Sequence, residues 1–319
     1  MRTLALALLM GLAACAGSGA RDPAGDMSST TGPKADGPHD RTTSRRCTGR
    51  GGAAGDSDNP ITVGATGRRY LLHVPPSYDP TIPMPLVVGY HGVTFTPEQM
   101  RDATHFDEVA DQRGFLVAYP AGLYASWNAG TCCGGALAGK VDDVAFSRAL
   151  LDEVTGTYCV DDQQIFATGF SNGGFMTHRV GCELADRYAA IGVVSGQESL
   201  AACAPGRPVP VVQLHGTADP LVPYLGNPLL GFPSTAQTIA GWAMRDGCAD
   251  PPTTIGVEGS VTCVRHGGCA EDAEVILCTN EGGAHDWIGG GTLWTSAGPP
   301  PGFVTTLYFA DFFGRHPRP

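Results

Sequence analysis

The segment Gly169-Phe170-Ser171-Asn172-Gly173 joins a strand-like run, Gln164-Ile165-Phe166-Ala167-Thr168, to a helix-like one, Phe175-Met176-Thr177-His178-Arg179-Val180. Few folds accommodate that junction. A strand that turns directly into a helix forces the residue at the corner into a strained backbone conformation. The flanking segments pass so closely that only glycine fits two positions on either side. Ser171 then projects its hydroxyl outward at a helix N-terminus, where backbone amides can hold an anion, which makes it a candidate nucleophile.

The rest of the chain alternates in the same way. Arg68–Val74 alternates like a strand, and Leu86-Val87-Val88-Gly89-Tyr90 and Phe115-Leu116-Val117-Ala118-Tyr119 are continuous apolar runs suited to strands buried on both faces. Helical patterns fill residues 97–112 and 141–154. Further strands are expected at 164–169, 189–195, 209–214 and 273–278, with helices at 174–185, 235–246 and 303–313. Strand and helix in turn imply an α/β fold with a mostly parallel central sheet covered on both faces by helices. In such sheets chemistry gathers at the carboxyl ends of strands. Three segments stand there: His91-Gly92-Val93-Thr94, His215-Gly216-Thr217-Ala218-Asp219-Pro220 and Gly282-Gly283-Ala284-His285-Asp286-Trp287. The order Ser, Asp, His along the chain is that of the α/β-hydrolase fold.

The N-terminus reads as an export signal over residues 1–14, with Arg2 before the apolar core Leu4–Met10, a run too short to span a bilayer. Leu12-Ala13-Ala14-Cys15 resembles the bacterial lipoprotein signal, in which the cysteine is acylated. An ordinary secretory signal cut near Ala14 or Ala20 is the other reading. Either one places the protein outside the cytoplasm, secreted or lipid-anchored at the cell surface. Residues 15–46 are rich in Gly, Ser, Thr, Asp and Pro and bury too little to offset ordering entropy, so they read as a flexible tether. Residues 47–319 suffice for one catalytic domain.

With Cys15 lipidated, the eleven cysteines leave ten, an even set that argues for disulfides in an exported protein. Adjacent Cys132 and Cys133 are expected to pair with separate distant partners, since a disulfide wants Cα atoms well beyond neighbour spacing. No spacing suits zinc, and neither a metal nor another cofactor is expected. The formal net charge of −11 excludes nucleic acid as a natural partner.

Six segments together resemble the esterase family that contains feruloyl esterases and poly(3-hydroxybutyrate) depolymerases, across about residues 66–312. They are Pro85-Leu86-Val87-Val88 leading to His91-Gly92, Trp127-Asn128-Ala129-Gly130-Thr131-Cys132-Cys133-Gly134-Gly135, Val141-Asp142-Asp143-Val144, Ala167–Gly174, His215–Asp219 with Val222-Pro223-Tyr224, and His285-Asp286-Trp287. The helix Trp242–Cys248 and the His-Asp-Trp ending look most like feruloyl esterases. The resemblance implies an exported serine carboxylic-ester hydrolase that releases ferulate-like hydroxycinnamic acids from plant polysaccharide. Polyester depolymerisation and acetylxylan deacetylation are close alternatives that need the same triad. A non-catalytic carbohydrate-binding lipoprotein and a serine peptidase are more distant ones. A monomer is expected.

Within that resemblance Ser171 is the nucleophile, His285 the base and Asp219 the group that orients the imidazole. The amides of Asn172 and Val93, with Thr94 as a further candidate, would form the oxyanion hole. Trp127, Tyr224 and Trp287 stand in loops that could clamp an aromatic acyl group, although core packing is the commoner fate of tryptophan. Asp142 and Asp143 read as helix N-terminal residues. The family's spacing pairs Cys182 with Cys203 and Cys248 with Cys269. Cys263 and Cys278 could then bridge two strands of a hairpin, which leaves Cys47, Cys132, Cys133 and Cys159 for two more bridges.

Overall fold

The computed structural model describes residues 47–291 and 302–319. The export segment, the tether and Cys15 lie outside the described residues. Among the described residues ten strands form one sheet: β1 (Gly55–Val63), β2 (Thr66–Val74), β3 (Met84–Tyr90), β4 (Leu116–Pro120), β5 (Val160–Phe170), β6 (Ala190–Val194), β7 (Val211–Gly216), β8 (Thr253–Glu258), β9 (Val261–His266) and β10 (Val275–Asn280). Their order is β1-β2-β4-β3-β5-β6-β7-β10-β9-β8. The strands from β4 to β10 in that order run parallel, and the antiparallel pairs β1-β2 and β8-β9 extend the two edges.

The period of two in each central strand divides its side chains between two cores. Leu86, Val88 and Tyr90 of β3 and Ile165 and Ala167 of β5 face one side, packed with Phe146, Leu150, Phe175, Val180 and Trp242. These belong to α4 (Asp143–Thr157), α5 (Asn172–Glu183) and α6 (Thr235–Arg245). Val87 and Phe166 face the other side, against Phe106, Phe309, Phe312 and Phe313 from α2 (Phe106–Arg113) and α7 (Thr305–Arg315). Strands buried on both faces explain the unbroken apolar runs of the sequence.

The expected helix over 97–112 is two helices, α1 (Pro97–Thr104) and α2. His105 separates them at φ 55°. A short α3 (Gly134–Ala138) was not anticipated. At the start of α4, Asp142 is the N-cap and accepts from the Ala145 amide at 2.9 Å. Asp143 does more than start the helix. It is buried in an ion pair with Arg68 at 2.8 Å and also accepts the Asn128 amide at 2.8 Å, tying β2 and the 127–133 loop to α4.

Three disulfides join the expected pairs, Cys182–Cys203, Cys248–Cys269 and Cys263–Cys278, the last across directly paired residues of β9 and β10. The expectation for Cys132 and Cys133 is overturned: they bond to each other, and Cys47 pairs with Cys159. The Cα atoms of Cys132 and Cys133 lie only 3.2 Å apart, so neighbour spacing did not exclude this bridge.

Candidate active site

Ser171 closes β5 and opens α5 with φ 56° and ψ −124°, the strained corner expected of the sequence. A Cβ on Gly169 would collide with the Gly173 carbonyl, and one on Gly173 with the carbonyls of Tyr90 and His91. The glycine requirement at the turn is therefore steric. The Ser171 amide is held by Val194 O at 2.9 Å, which fixes the corner to β6.

Asp219 follows β7 in a tight loop, where its Oδ1 accepts the amides of Leu221 and Val222, each at 2.9 Å. Its Oδ2 lies 2.6 Å from His285 Nδ1. The loop carrying His285 reaches β7 because Gly216 has no side chain: a Cβ there would strike the carbonyls of Gly283 and Ala284. Ala218 N donates to Gly283 O and Thr217 N to Asn280 O, both at 2.9 Å. The His285 ring rests on Phe170, the residue before Ser171, with ring centroids 4.6 Å apart. Burial pushes the Asp219 carboxyl up, but hydrogen bonds from His215 and His285 outweigh it and hold the group well below the usual carboxylate range.

Beside the corner, Gly92 approaches so closely that an added Cβ would lie 3.3 Å from Ser171 Cβ. Of the candidate anion-binding amides, Thr94 N is spent on Ala125 O at 2.8 Å. Those of Val93 and Asn172 have no hydrogen-bond partner among the described residues. His91 braces this loop, accepting the Gly122 amide on Nε2 at 2.9 Å and donating from Nδ1 to Gly92 O at 2.8 Å. Burial lowers its imidazole to about 4, so it stays neutral.

Two of the three aromatic residues expected to line a pocket do not. Trp127 and Trp287 are both fully buried. Trp127 donates from Nε1 to His91 O at 2.8 Å, with its ring against Tyr90 and Phe146. Trp287 donates to Thr306 Oγ1 at 3.0 Å, between Phe106 and Phe309. Internal partners for both indole N–H groups made complete burial possible. Tyr224 remains half-buried, its ring edge-on to His215 and its hydroxyl 2.9 Å from Thr279 Oγ1. Sequence reasoning missed the second imidazole on Asp219: His215 Nε2 lies 3.4 Å from Oδ2. It also missed the Asn172 side chain, which accepts the Trp127 amide at 2.7 Å.

A strained serine, a carboxylate-bound imidazole and two amides without partners among the described residues lie at the carboxyl ends of β3, β5, β7 and β10. Residues 68–222 match the family described as "Esterase PHB depolymerase". Feruloyl esterase C of Emericella nidulans is 32% identical over 233 residues, which make up 69% of this chain and 77% of that protein. Feruloyl esterase B of Piromyces equi is 31% identical over 238 residues, and there the match spans only 42% of the relative's length. Among solved structures, an acetyl xylan esterase from Aspergillus awamori superposes with a TM-score of 0.58 at 16% identity, covering 81% of this chain and 99% of that one. Strand order, helix layers and these likenesses make the fold that of an α/β-hydrolase, and the chain belongs to the family of esterases and poly(3-hydroxybutyrate) depolymerases, as a carboxylic ester hydrolase.

Proposed function

We propose that Ser171, His285 and Asp219 form the catalytic triad of an exported esterase that cleaves hydroxycinnamoyl esters of plant polysaccharide. The observation that carries the reading is the 2.6 Å bond from His285 Nδ1 to Asp219 Oδ2, on a ring that packs against the residue preceding Ser171. With Asp219 accepting at Nδ1, the neutral imidazole keeps its lone pair on Nε2, the form required to take the serine proton. The serine oxygen then attacks the ester carbonyl, and the amides of Val93 and Asn172 receive the negative charge. The imidazolium returns its proton to the leaving alcohol, giving an acyl-enzyme. Water, activated by the same imidazole, attacks the acyl carbon and releases the acid and Ser171. No metal or organic cofactor enters this sequence. Export, and anchoring through a lipidated Cys15, suit a domain tied by five disulfides in an oxidising compartment.

The relatives named feruloyl esterase support the hydroxycinnamoyl substrate. The burial of both indoles favours a second reading, in which the acyl group is acetyl and needs no aromatic clamp. Turnover of methyl ferulate, methyl acetate and polyhydroxybutyrate film by the mature chain separates these. A specificity constant for methyl ferulate at least about 5-fold above that for methyl acetate supports the first reading, in line with roughly 1 kcal/mol of aromatic contact. Equal efficiency moves the assignment to acetyl esters, and rapid clearing of the film moves it to polyester.

A further inference from the structure

Large apolar side chains stand exposed on one short stretch beside the triad. Leu221, Leu225, Leu229 and Leu230 are 65%, 84%, 96% and 54% exposed, four of the ten large apolar residues that are exposed among those described. A singly exposed leucine is ordinary on a protein surface, whereas four within ten residues mark a contact surface. From Pro220 to Pro233 the sequence holds no charged residue.

Hydrogen bonds and packing fix this stretch as a shelf on the rim of the site. At one end Asp219 Oδ1 accepts the amides of Leu221 and Val222, each at 2.9 Å. In the middle Gly226 N donates to Pro223 O at 2.8 Å, and the Leu229 amide donates to Asn227 Oδ1 at 3.1 Å. At the other end Asn227 and Phe232 exchange two backbone hydrogen bonds, each 2.9 Å long. Phe232 packs on Phe175 of α5, with ring centroids 4.9 Å apart. Thr131 Oγ1 donates to Gly231 O at 3.1 Å, which ties the shelf to the loop that holds Asn172.

The shelf starts on the loop whose Asp219 carboxylate holds His285, and His285 is the group that hands a proton to the leaving alcohol. Resting on the triad reading, we infer a further activity: the enzyme cleaves esters whose alcohol is a long, uncharged alkyl chain, held on Leu221, Leu225, Leu229 and Leu230. Ser171 Oγ bonds to the acyl carbon, and the bond from that carbon to the alkoxy oxygen breaks. The oxygen takes the proton from His285 and leaves as the free alcohol. Water then releases the acid and restores Ser171. An anionic lipid surface is a poor occupant for this shelf, since the formal net charge of the chain is −11.

The test measures kcat/KM of the mature chain on methyl, butyl and octyl acetate and on the same three ferulates, below the concentrations at which the esters form micelles. Within each acyl series octyl should exceed methyl by about tenfold or more. The gain should come through KM, with kcat within about twofold, because a chain remote from the carbonyl is held equally in the ground and transition states. Leu225→Asp and Leu229→Asp combined should bring the octyl-to-methyl ratio down to about 1 to 2. Met244→Asp, at an exposed apolar residue of α6 outside the shelf, should leave that ratio and the turnover of methyl acetate as in the wild type. A flat chain-length series in the wild type, or a ratio unchanged in the folded double variant, would overturn the shelf. So would a gain for methyl octanoate with none for octyl acetate, or a wild-type dimer in sedimentation that the double variant dissolves. Turnover retained by Ser171→Ala would instead remove the triad, while the chain-length ratio would still report on the shelf.

Discussion

Trp127 and Asn172 hold each other by a reciprocal pair of hydrogen bonds: the Trp127 amide donates to Asn172 Oδ1 at 2.7 Å, and Asn172 Nδ2 donates to Trp127 O at 3.1 Å. The residue after Ser171 is thereby anchored to the loop closed by Cys132 and Cys133, whose Cys132 Sγ lies 3.6 Å from the same Nδ2. In the proposed mechanism the Asn172 amide meets developing charge, and this pair would hold it oriented for that role. Asn172→Ala strands both Trp127 backbone groups in the interior. It should cost about 1–3 kcal/mol in urea unfolding and lower kcat by about 10- to 100-fold. Wild-type values for both would show that the pair fixes nothing.

The buried indole of Trp287 makes a structural prediction in place of a substrate-binding one. Trp287→Ala removes a ring packed between Phe106 and Phe309 and should destabilise the protein by about 3–5 kcal/mol. The ratio of specificity constants for methyl ferulate and methyl acetate should stay unchanged in the folded fraction. Tyr224→Ala is the variant that should lower that ratio, since this ring alone of the three is not fully buried. A changed ratio in Trp287→Ala at unchanged stability would contradict the placement.

Asp246 links pH to stability. Burial pushes its carboxyl up to about 7, against the lowering effects of the Val209 amide, Arg245 and Arg207. Its Oδ1 accepts from Val209 N at 3.0 Å, while Oδ2 has no partner among the described residues. A carboxyl raised in the folded state binds its proton more tightly there than in the unfolded chain. Stability therefore falls as pH rises from about 4 to about 7. Asp246→Asn keeps the acceptor for Val209 and abolishes the ionisation. Thermal denaturation should show it more stable than wild type by about 2–4 kcal/mol at pH 8 and similar at pH 4. An identical pH dependence in the two proteins would rule this out.

Asp219 behaves in the opposite sense. Its folded value is depressed, so its contribution to stability is present above the unfolded value and lost only as pH falls through the folded one. It remains ionised at the pH values where imidazoles titrate, so it should add no step of its own to the pH profile of kcat/KM near neutrality. A near-neutral step that disappears in a folded Asp219→Asn protein while activity persists would contradict this. Activity should be indifferent to chelators.

The sequence announces what is buried on both sides and hides what is exposed or depends on which way a loop turns. β3 and the second half of β5 are legible because both faces are covered, so their residues are predominantly apolar. β1 and β8 are edge strands with mostly or wholly exposed residues, and no periodicity marks them. The order Ser171, Asp219, His285 was legible because each follows a recognisable strand. The inward turn of Trp127 and Trp287 was not, since loop position alone does not say which face meets the core. The second imidazole on Asp219 emerges only because the 216–222 loop doubles back on His215.

The most direct test of the triad is the turnover of p-nitrophenyl acetate by Ser171→Ala. The hydroxyl stands at a strained corner whose backbone is held by Val194 and by the glycines on either side, so its removal should leave the thermal midpoint near that of the wild type. Turnover should fall by about 10⁵-fold or more, as for other serine triads. A folded Ser171→Ala enzyme that keeps a tenth of wild-type turnover would contradict the assignment.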